Sequence, residues 1–379
     1  MEKKENKWER KFTLRELGGA FGDWGTLIPF VIGYIVLVGL NPAGIFFCLG
    51  ITNIILGIRY NLPLPVQPQK TIGTVALAER WNPNLVISTG FGTGLFWAIL
   101  GFSGKLNKIV KKVPIISVRG IQLGLGFILG WTAILLITDD IILSFISILI
   151  IIALIKNQKI PSAILLTGIG IILIIFNGNI SIIDLKFNLP EFKLFFPTWE
   201  NILVGMVIAG IAQLLLTLTN VMIATVNLAR DLFPDKKDTI DANSLALNMG
   251  VMNLINPFLG GMPLCHGSGG LAAQYAFGAR TGGSMILEGL IEIILGLFFS
   301  QILLTLFISF PRAILGAMLL YTAVLLGKIS FKDFNIRTFP IILISAIICF
   351  LFNITLGFLI GLAIYLIFRK NINSKIEEK

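Results

Sequence analysis

The sequence predicts an all-α membrane protein of fourteen transmembrane segments, built as two inverted repeats of seven. Three observations carry that expectation. Of the 379 residues, 55% are hydrophobic and only 13% charged, far from the composition of soluble domains. Long apolar runs such as 141–155, 160–176 and 341–368 suit membrane-spanning helices, and lipid admits only helices or closed barrels. No alternating pattern of barrel strands is present. Finally, two segments broken by proline and glycine stand about half a chain length apart, with Pro63-Leu64 recurring as Pro263-Leu264.

The first broken segment runs from Pro63 to Ala78. Three prolines in six residues, Pro63, Pro65 and Pro68, forbid a continuous helix, because each lacks an N–H and disfavours helix in the residue before it. The chain is expected to be extended from Pro63 to Gln67 and helical from Pro68, since proline suits a first helical position. The helix 68–78 would rise about 16 Å, roughly half of a hydrocarbon core of about 30 Å. Such a half-helix buries its unpaired N–H groups and positive dipole end at the midplane, an arrangement suited to an anion.

Basic residues order the remaining spans. The net charge of +10 is concentrated in the N-terminal tail, at Arg59, in 105–112, at Lys156 and Lys159, at Arg230 to Lys237, at Arg280, at Lys328, Lys332 and Arg337, and in the C-terminal tail. These positions are cytoplasmic by the positive-inside rule. The spans are then 17–37, 42–58, the first broken segment, 85–106, 118–137, 141–155, 160–176, 202–224, 242–258, the second broken segment 260–279, 284–307, 312–326, 339–352 and 356–368. The chain divides into a cytoplasmic tail 1–16, a first repeat 17–176, an extracytoplasmic linker 177–201, a second repeat 202–368 and a cytoplasmic tail 369–379. No signal peptide is expected, because the charged tail leads directly into the first span. Val113-Pro114 and Phe310-Pro311, 197 residues apart, support the repeat. Seven spans is an odd number, so the second copy is inverted, and matched breaks in inverted halves point to a transporter's binding site.

The second break, Gly260 to Gly270, is too glycine-rich for an interior helix. The amides of Gly267, Ser268, Gly269 and Gly270 are read as a bare nest opening a half-helix 271–279. Ser268 adds a hydroxyl, and His266, the only histidine, adds a ring donor. Lys70 in the first break is costly in a membrane without a counter-ion or a water-filled cavity. It is read either as the cation that attracts an anion or as the partner of Asp23. In span 8, Gln213, Thr217 and Asn220 share one helical face, a neutral polar stripe suited to a hydrated oxyanion. Glu288 and Glu292 share a face of span 11 and would repel an anion, so they are read as partners of bases or as proton-coupling groups.

Other features suit structural roles. Gly126 and Gly130 form a GxxxG packing motif. Cys48, Cys265 and Cys349 form no CxxC pair and read as buried thiols, so no metal or cofactor is expected. Asp139-Asp140 is weak evidence for an enzyme.

Together, Glu16 to Thr26, Pro65 to Lys70, Val118 to Gln122, Gln213 to Asn220 with Asp231-Leu232-Phe233-Pro234, and Met262 to Ala272 resemble the molybdate transporter family, a branch allied to the sulfate permeases. The resemblance implies the inverted-repeat fold of sulfate permeases and nucleobase transporters, with a core domain (spans 1–4 and 8–11) moving against a gate domain (spans 5–7 and 12–14). It implies a secondary active carrier of molybdate, or of tungstate or sulfate, in the cell membrane, and not an enzyme. The oxyanion would bind at Thr26, Gln67, Gln69, Lys70, Gln213, Thr217, Asn220, His266, Gly267, Ser268 and Gly269. Asp23 and Glu288 would serve proton coupling or structural charge balance. The lipid bilayer is a partner, a homodimer is admitted, and nucleic acid is not expected. The nearest alternative is a sulfate transporter, ahead of a nucleobase carrier or a passive anion channel. Two departures matter: the chain ends soon after span 14, without the regulatory domain of sulfate permeases, and span 8 lacks the glutamate usual in the nucleobase branch.

Overall fold

The computed structural model describes residues 9–106, 115–155, 161–176, 189–236 apart from 191 and 193, 239–331 and 335–373. The basic residues of 1–8 and 107–114, Lys156, Lys159, Lys237 and Lys332, most of the linker 177–201, the Val113-Pro114 pair and the tail 374–379 lie outside the described residues.

The first half contains α1 (Leu14–Ala20), α2 (Trp24–Val38), α3 (Pro42–Tyr60), a short strand β1 (Val66–Pro68), α4 (Lys70–Glu79), α5 (Pro83–Ser103), α6 (Ile115–Ile137), α7 (Ile141–Leu154) and α8 (Ser162–Phe176). The second half contains α9 (Trp199–Leu232), α10 (Ala242–Ile255), β2 (Leu264–His266), α11 (Ser268–Ala276), α12 (Gly283–Phe298), α13 (Ser300–Ile308), α14 (Arg312–Ser330), α15 (Phe339–Leu351) and α16 (Ile354–Asn373). Among the described residues, α3, α5, α6, α9 and α14 are each long and apolar enough to cross a membrane. The bent pairs α1/α2, at 45°, and α12/α13, at 80°, pass the same test. The fold is mostly helical and membrane-like.

Short polar residues start many of these helices. Asn41, Asn82 and Asp140 accept from the amides of Ala43, Leu85 and Leu143, each at 2.9 Å. Asp241 forms a capping box with Ser244 at the start of α10. These caps satisfy amides that a helix cannot pair internally. Asp140 is thus a cap, and Asp139 lies 3.9 Å from Arg312. The acidic pair therefore has structural work, which weakens the enzyme reading.

Helices of the first half pack against helices of the second: α3 against α12, α5 against α10, and α6 against α14 and α15. The first contact needs glycine, because a Cβ on Gly50 would come within 2.5 Å of the Gly289 carbonyl oxygen. Gly126 of the GxxxG motif likewise sits close to α14, where its Cβ would lie 3.2 Å from Ala323 O. All three cysteines are free and buried.

At the centre, β1 and β2 pair antiparallel, with Val66 opposite His266, Gln67 opposite Cys265 and Pro68 opposite Leu264. Here the sequence reading needs correction. Pro68 is extended and α4 begins at Lys70, because the Gln69 amide donates to Pro263 O at 2.9 Å and prolongs the pairing. Lys70 is therefore the first helical residue, two positions after the start expected at Pro68. The second half-helix starts at Ser268 and ends at Ala276, earlier than 271–279 at both ends. Extended Gly267 is its N-cap, and Gly278 at φ +116° turns the chain away. Span 1 breaks between Ala20 and Trp24, and α9 extends well beyond 202–224, with π-helical turns at Met206–Gly210 and Asn220–Thr225.

Two asparagines brace the strands. Asn53 on α3 accepts from the Val66 amide at 3.1 Å, and Asn253 on α10 accepts from the Leu264 amide at 2.8 Å. Asn253 also donates to Leu264 O at 2.7 Å. An Asn253→Ala substitution leaves the buried Leu264 N–H without this acceptor and is expected to cost about 1–3 kcal/mol. The measurement is thermal unfolding in detergent; a melting temperature equal to wild type would show that the brace is dispensable.

Candidate functional site

Residues flanking both half-helix starts line one cavity of about 860 Å³. One wall comes from α2, β1, α4, α9, β2 and α11; the facing wall is α14, with Tyr321 and Thr322. Farther along, the cavity reaches the ends of α7, α8 and α14, at Leu154, Pro161 and Lys328.

The α4 side carries the charge. The Lys70 ammonium is buried, makes no hydrogen bond, and lies 4.5 Å from the centroid of the Phe30 ring. A ring face attracts a cation but accepts no strong hydrogen bond, so the N–H donors remain available. The next amide, Thr71 N–H, donates to Gln213 Oε1 at 2.8 Å, and Gln213 Nε2 donates to Thr217 Oγ1 at 2.9 Å. Gln213 thus caps α4 from another helix. Gln69 is fully buried, donating to Thr93 Oγ1 at 3.0 Å and Leu264 O at 3.2 Å. Gln67 does face the cavity; its amide donates to Thr26 Oγ1 at 2.9 Å and Asp23 Oδ2 at 3.2 Å.

The α11 side is open backbone. Its start has no side-chain cap, and Cβ atoms built on Gly267 or Gly269 would meet nothing within 4 Å. A helix start with such clear space presents N–H groups to whatever enters. His266, 1% exposed, borders the same cavity; neither ring nitrogen makes a hydrogen bond of good geometry, although the backbone of Leu64 and Pro65 lies beside the ring. Asn220, at the start of the second π-helical turn of α9, completes this side.

Behind the cavity lie three buried carboxyl groups held by neutral donors. Asp23 accepts from Gln67 and from Gln274 Nε2, both at 3.2 Å. Glu288 accepts from Trp24 Nε1 at 2.9 Å and Gln274 Nε2 at 2.6 Å, and Glu292 accepts from Asn53 Nδ2 at 2.8 Å. Of the alternatives the sequence left open, Asp23 is bonded to Gln67 and Gln274 and makes no hydrogen bond with Lys70, and the acids of α12 are bonded to amides and an indole. Among the described residues, no group of histidine, cysteine and carboxylate side chains has metal-binding geometry.

Of the residues singled out in the sequence, Thr26, Gln67, Lys70, Asn220, His266, Gly267, Ser268 and Gly269 border the cavity. Gln69, Gln213 and Thr217 instead support the half-helices from behind, and Asp23 and Glu288 sit in the carboxyl cluster. Sequence reasoning missed Tyr321, Phe30 and the bracing asparagines. Asn53 and Asn253 carried a signal, because they share the 200-residue offset of the proline pairs. Tyr321 and Phe30 carried none, since each meets the site only through packing of distant helices.

A family model described as "Molybdate transporter of MFS superfamily" matches residues 15–129 and 205–326. Both half-helix segments fall inside the matched blocks. Molybdate transporter 2 of Arabidopsis thaliana is 31% identical over 407 residues, covering 93% of this chain and 87% of the relative. Molybdate transporter 1 of Chlamydomonas reinhardtii is 27% identical, covering 95% and 92%. Among solved structures, the transmembrane domain of a cyanobacterial bicarbonate transporter, BicA, superposes with a TM-score of 0.69 at 15% identity, covering 92% of this chain and 97% of that one. The murine anion transporter Slc26a9, in its inward-facing state, gives 0.71 at 14% identity, covering 95% and 69%. The structural likeness shows the fold, that of the sulfate-permease and SLC26 anion transporters. By the extent of the family match and by its identity to the plant protein, the chain belongs to the molybdate transporter family, whose members are transporters and not enzymes.

Proposed function

We propose that the protein is a secondary active transporter that carries molybdate, and the related tetrahedral oxyanions tungstate and sulfate, by alternating access. One observation carries the reading: two half-helices start beside the same cavity, one contributing an unpaired ammonium and the other uncapped glycine amides. Such a site suits an acceptor-only ligand. The printed functions of the plant and algal relatives supply molybdate as the particular oxyanion.

In this reading the fourteen spans comprise α1/α2, α3, β1/α4, α5, α6, α7 and α8, then α9, α10, β2/α11, α12/α13, α14, α15 and α16. The proposed core comprises α1–α5 and α9–α13, and the proposed gate comprises α6–α8 and α14–α16. Both termini are cytoplasmic in this arrangement. The cavity borders Lys328 and the residues that flank 156–160, which supports an opening toward the proposed cytoplasmic side and hence an inward-facing state. One chain supplies both half-helices, so the site does not require a homodimer.

An inside-negative potential opposes a dianion by about 4.6 kcal/mol per 100 mV. Concentrative uptake therefore needs a coupled ion, and protons are proposed. Purified protein in liposomes is expected to accumulate labelled molybdate under an inward proton gradient, with sulfate competing less well at matched concentration. No accumulation of molybdate, tungstate or sulfate under any gradient would defeat the transport reading. Lys70→Met, which keeps most of the length of the side chain but removes its charge, is expected to weaken molybdate binding at least tenfold while membrane insertion remains normal. Wild-type affinity in that variant would assign Lys70 to packing against Phe30.

A further inference from the structure

We infer that His266 takes up one proton each time the dianion binds, so that the oxyanion is held by two cations, the Lys70 ammonium and the His266 imidazolium. This rests on the proposed oxyanion site and names its proton partner. His266 is almost completely buried and borders the cavity one residue before the uncapped amides of α11; neither ring nitrogen makes a hydrogen bond of good geometry, although the backbone of Leu64 and Pro65 lies beside the ring. An oxyanion only accepts hydrogen bonds. A neutral imidazole offers it one donor and one lone pair, whereas an imidazolium offers two donors.

The charge count points the same way. A dianion beside one ammonium leaves a net negative charge in a buried site, which is costly in a membrane interior. The cavity groups offer few remedies. On the strand of His266, Cys265 cannot become cationic, and neither can Tyr321 on α14. Lys328 of α14 is exposed at the far end, where solvent screens it. The cavity residues of α7, α8, α9 and α11 carry no ionisable side chain. Asp23 lies behind Gln67, with Glu288 and Glu292 beyond it, and any negative charge there increases the need for a second cation. Before the anion arrives, Lys70 disfavours a second positive charge nearby. The proton therefore enters with the dianion and leaves with it, which halves the charge moved against the membrane potential.

The linkage has a definite sign. The anion-bound site holds the proton more tightly than the free site, so affinity is greatest at low pH. It falls by up to tenfold per pH unit between the two titrations and then levels off. Calorimetry of molybdate binding to the purified full-length protein, in two buffers of different ionisation enthalpy, counts the protons directly. At a pH on the falling limb of that profile, wild type is expected to take up one proton per molybdate, and Asp23→Asn to keep that count. His266→Gln is expected to bind more weakly with a count near zero and a pH-independent affinity. A wild-type count of zero overturns the inference, as does a count of one that survives in His266→Gln. If His266→Gln fails to fold, the wild-type and Asp23→Asn counts decide: one in both supports His266, and loss in Asp23→Asn moves the proton to the acid. Absence of any binding heat with molybdate, tungstate or sulfate overturns the oxyanion reading itself, and this inference with it.

Discussion

The pairing of β1 with β2 is the constraint on which the rest of the structure depends. A span broken at its middle leaves backbone N–H and C=O groups where no water reaches them. Each broken segment solves that problem with the other, and the register is informative. Val66 faces His266, 200 residues later, the same separation as Pro63 and Pro263. The supporting residues keep that offset. Asn41 and Asp241 cap α3 and α10, and Asn53 and Asn253 brace the two strands from those helices. Gly50 and Gly250 permit close packing of the same two helices, against Gly289 and Ala98 respectively. One supersecondary unit, used twice, thus brings two half-helix starts together at one cavity.

Likeness of backbone does not extend to chemistry. At the shared offset, Gln67 corresponds to Gly267, Pro68 to Ser268 and Lys70 to Gly270. One side presents a formal charge, and its Thr71 amide is already occupied by Gln213. The other presents uncapped backbone with clear space above Gly267 and Gly269. Two ammonium groups at the same place would repel one another before any anion arrived. Two glycine-only starts would supply partial charges alone. The observed division gives attraction from one side and close approach of N–H groups from the other.

Much of this was legible in the sequence, because the signals were strong and local. Proline and glycine mark where a helix cannot continue, and long apolar runs mark the helices themselves. What stayed hidden depended on partners. The stripe of Gln213, Thr217 and Asn220 indicated a polar face, but periodicity does not say what a face meets. Gln213 meets the start of α4, whereas Asn220 meets the cavity. Pro68 has the local preference of a helix start and is overruled by the bond from Gln69 to Pro263. The π-helical turns of α9 have no periodic signature, since each inserts extra backbone into an otherwise regular helix. Lys70 and Asp23 look like a natural ion pair in sequence, yet neutral amides claim the acid.

The two walls of the cavity differ in a way that bears on movement. Lys70 and His266 belong to the half-helix wall, while α14 contributes hydroxyl and aliphatic groups such as Tyr321, Thr322, Leu325 and Ile329. In the proposed cycle the oxyanion and its cations travel as one body. An ion pair bridging the two walls would have to be broken in a weakly polar setting, where separated charges are expensive. A wall with no buried charge removes that barrier, and its hydroxyl groups can exchange one partner for another at small net cost. Lys328 does lie on α14, but at its solvent-exposed end. There its charge attracts anions without clamping a bound ion to the proposed gate.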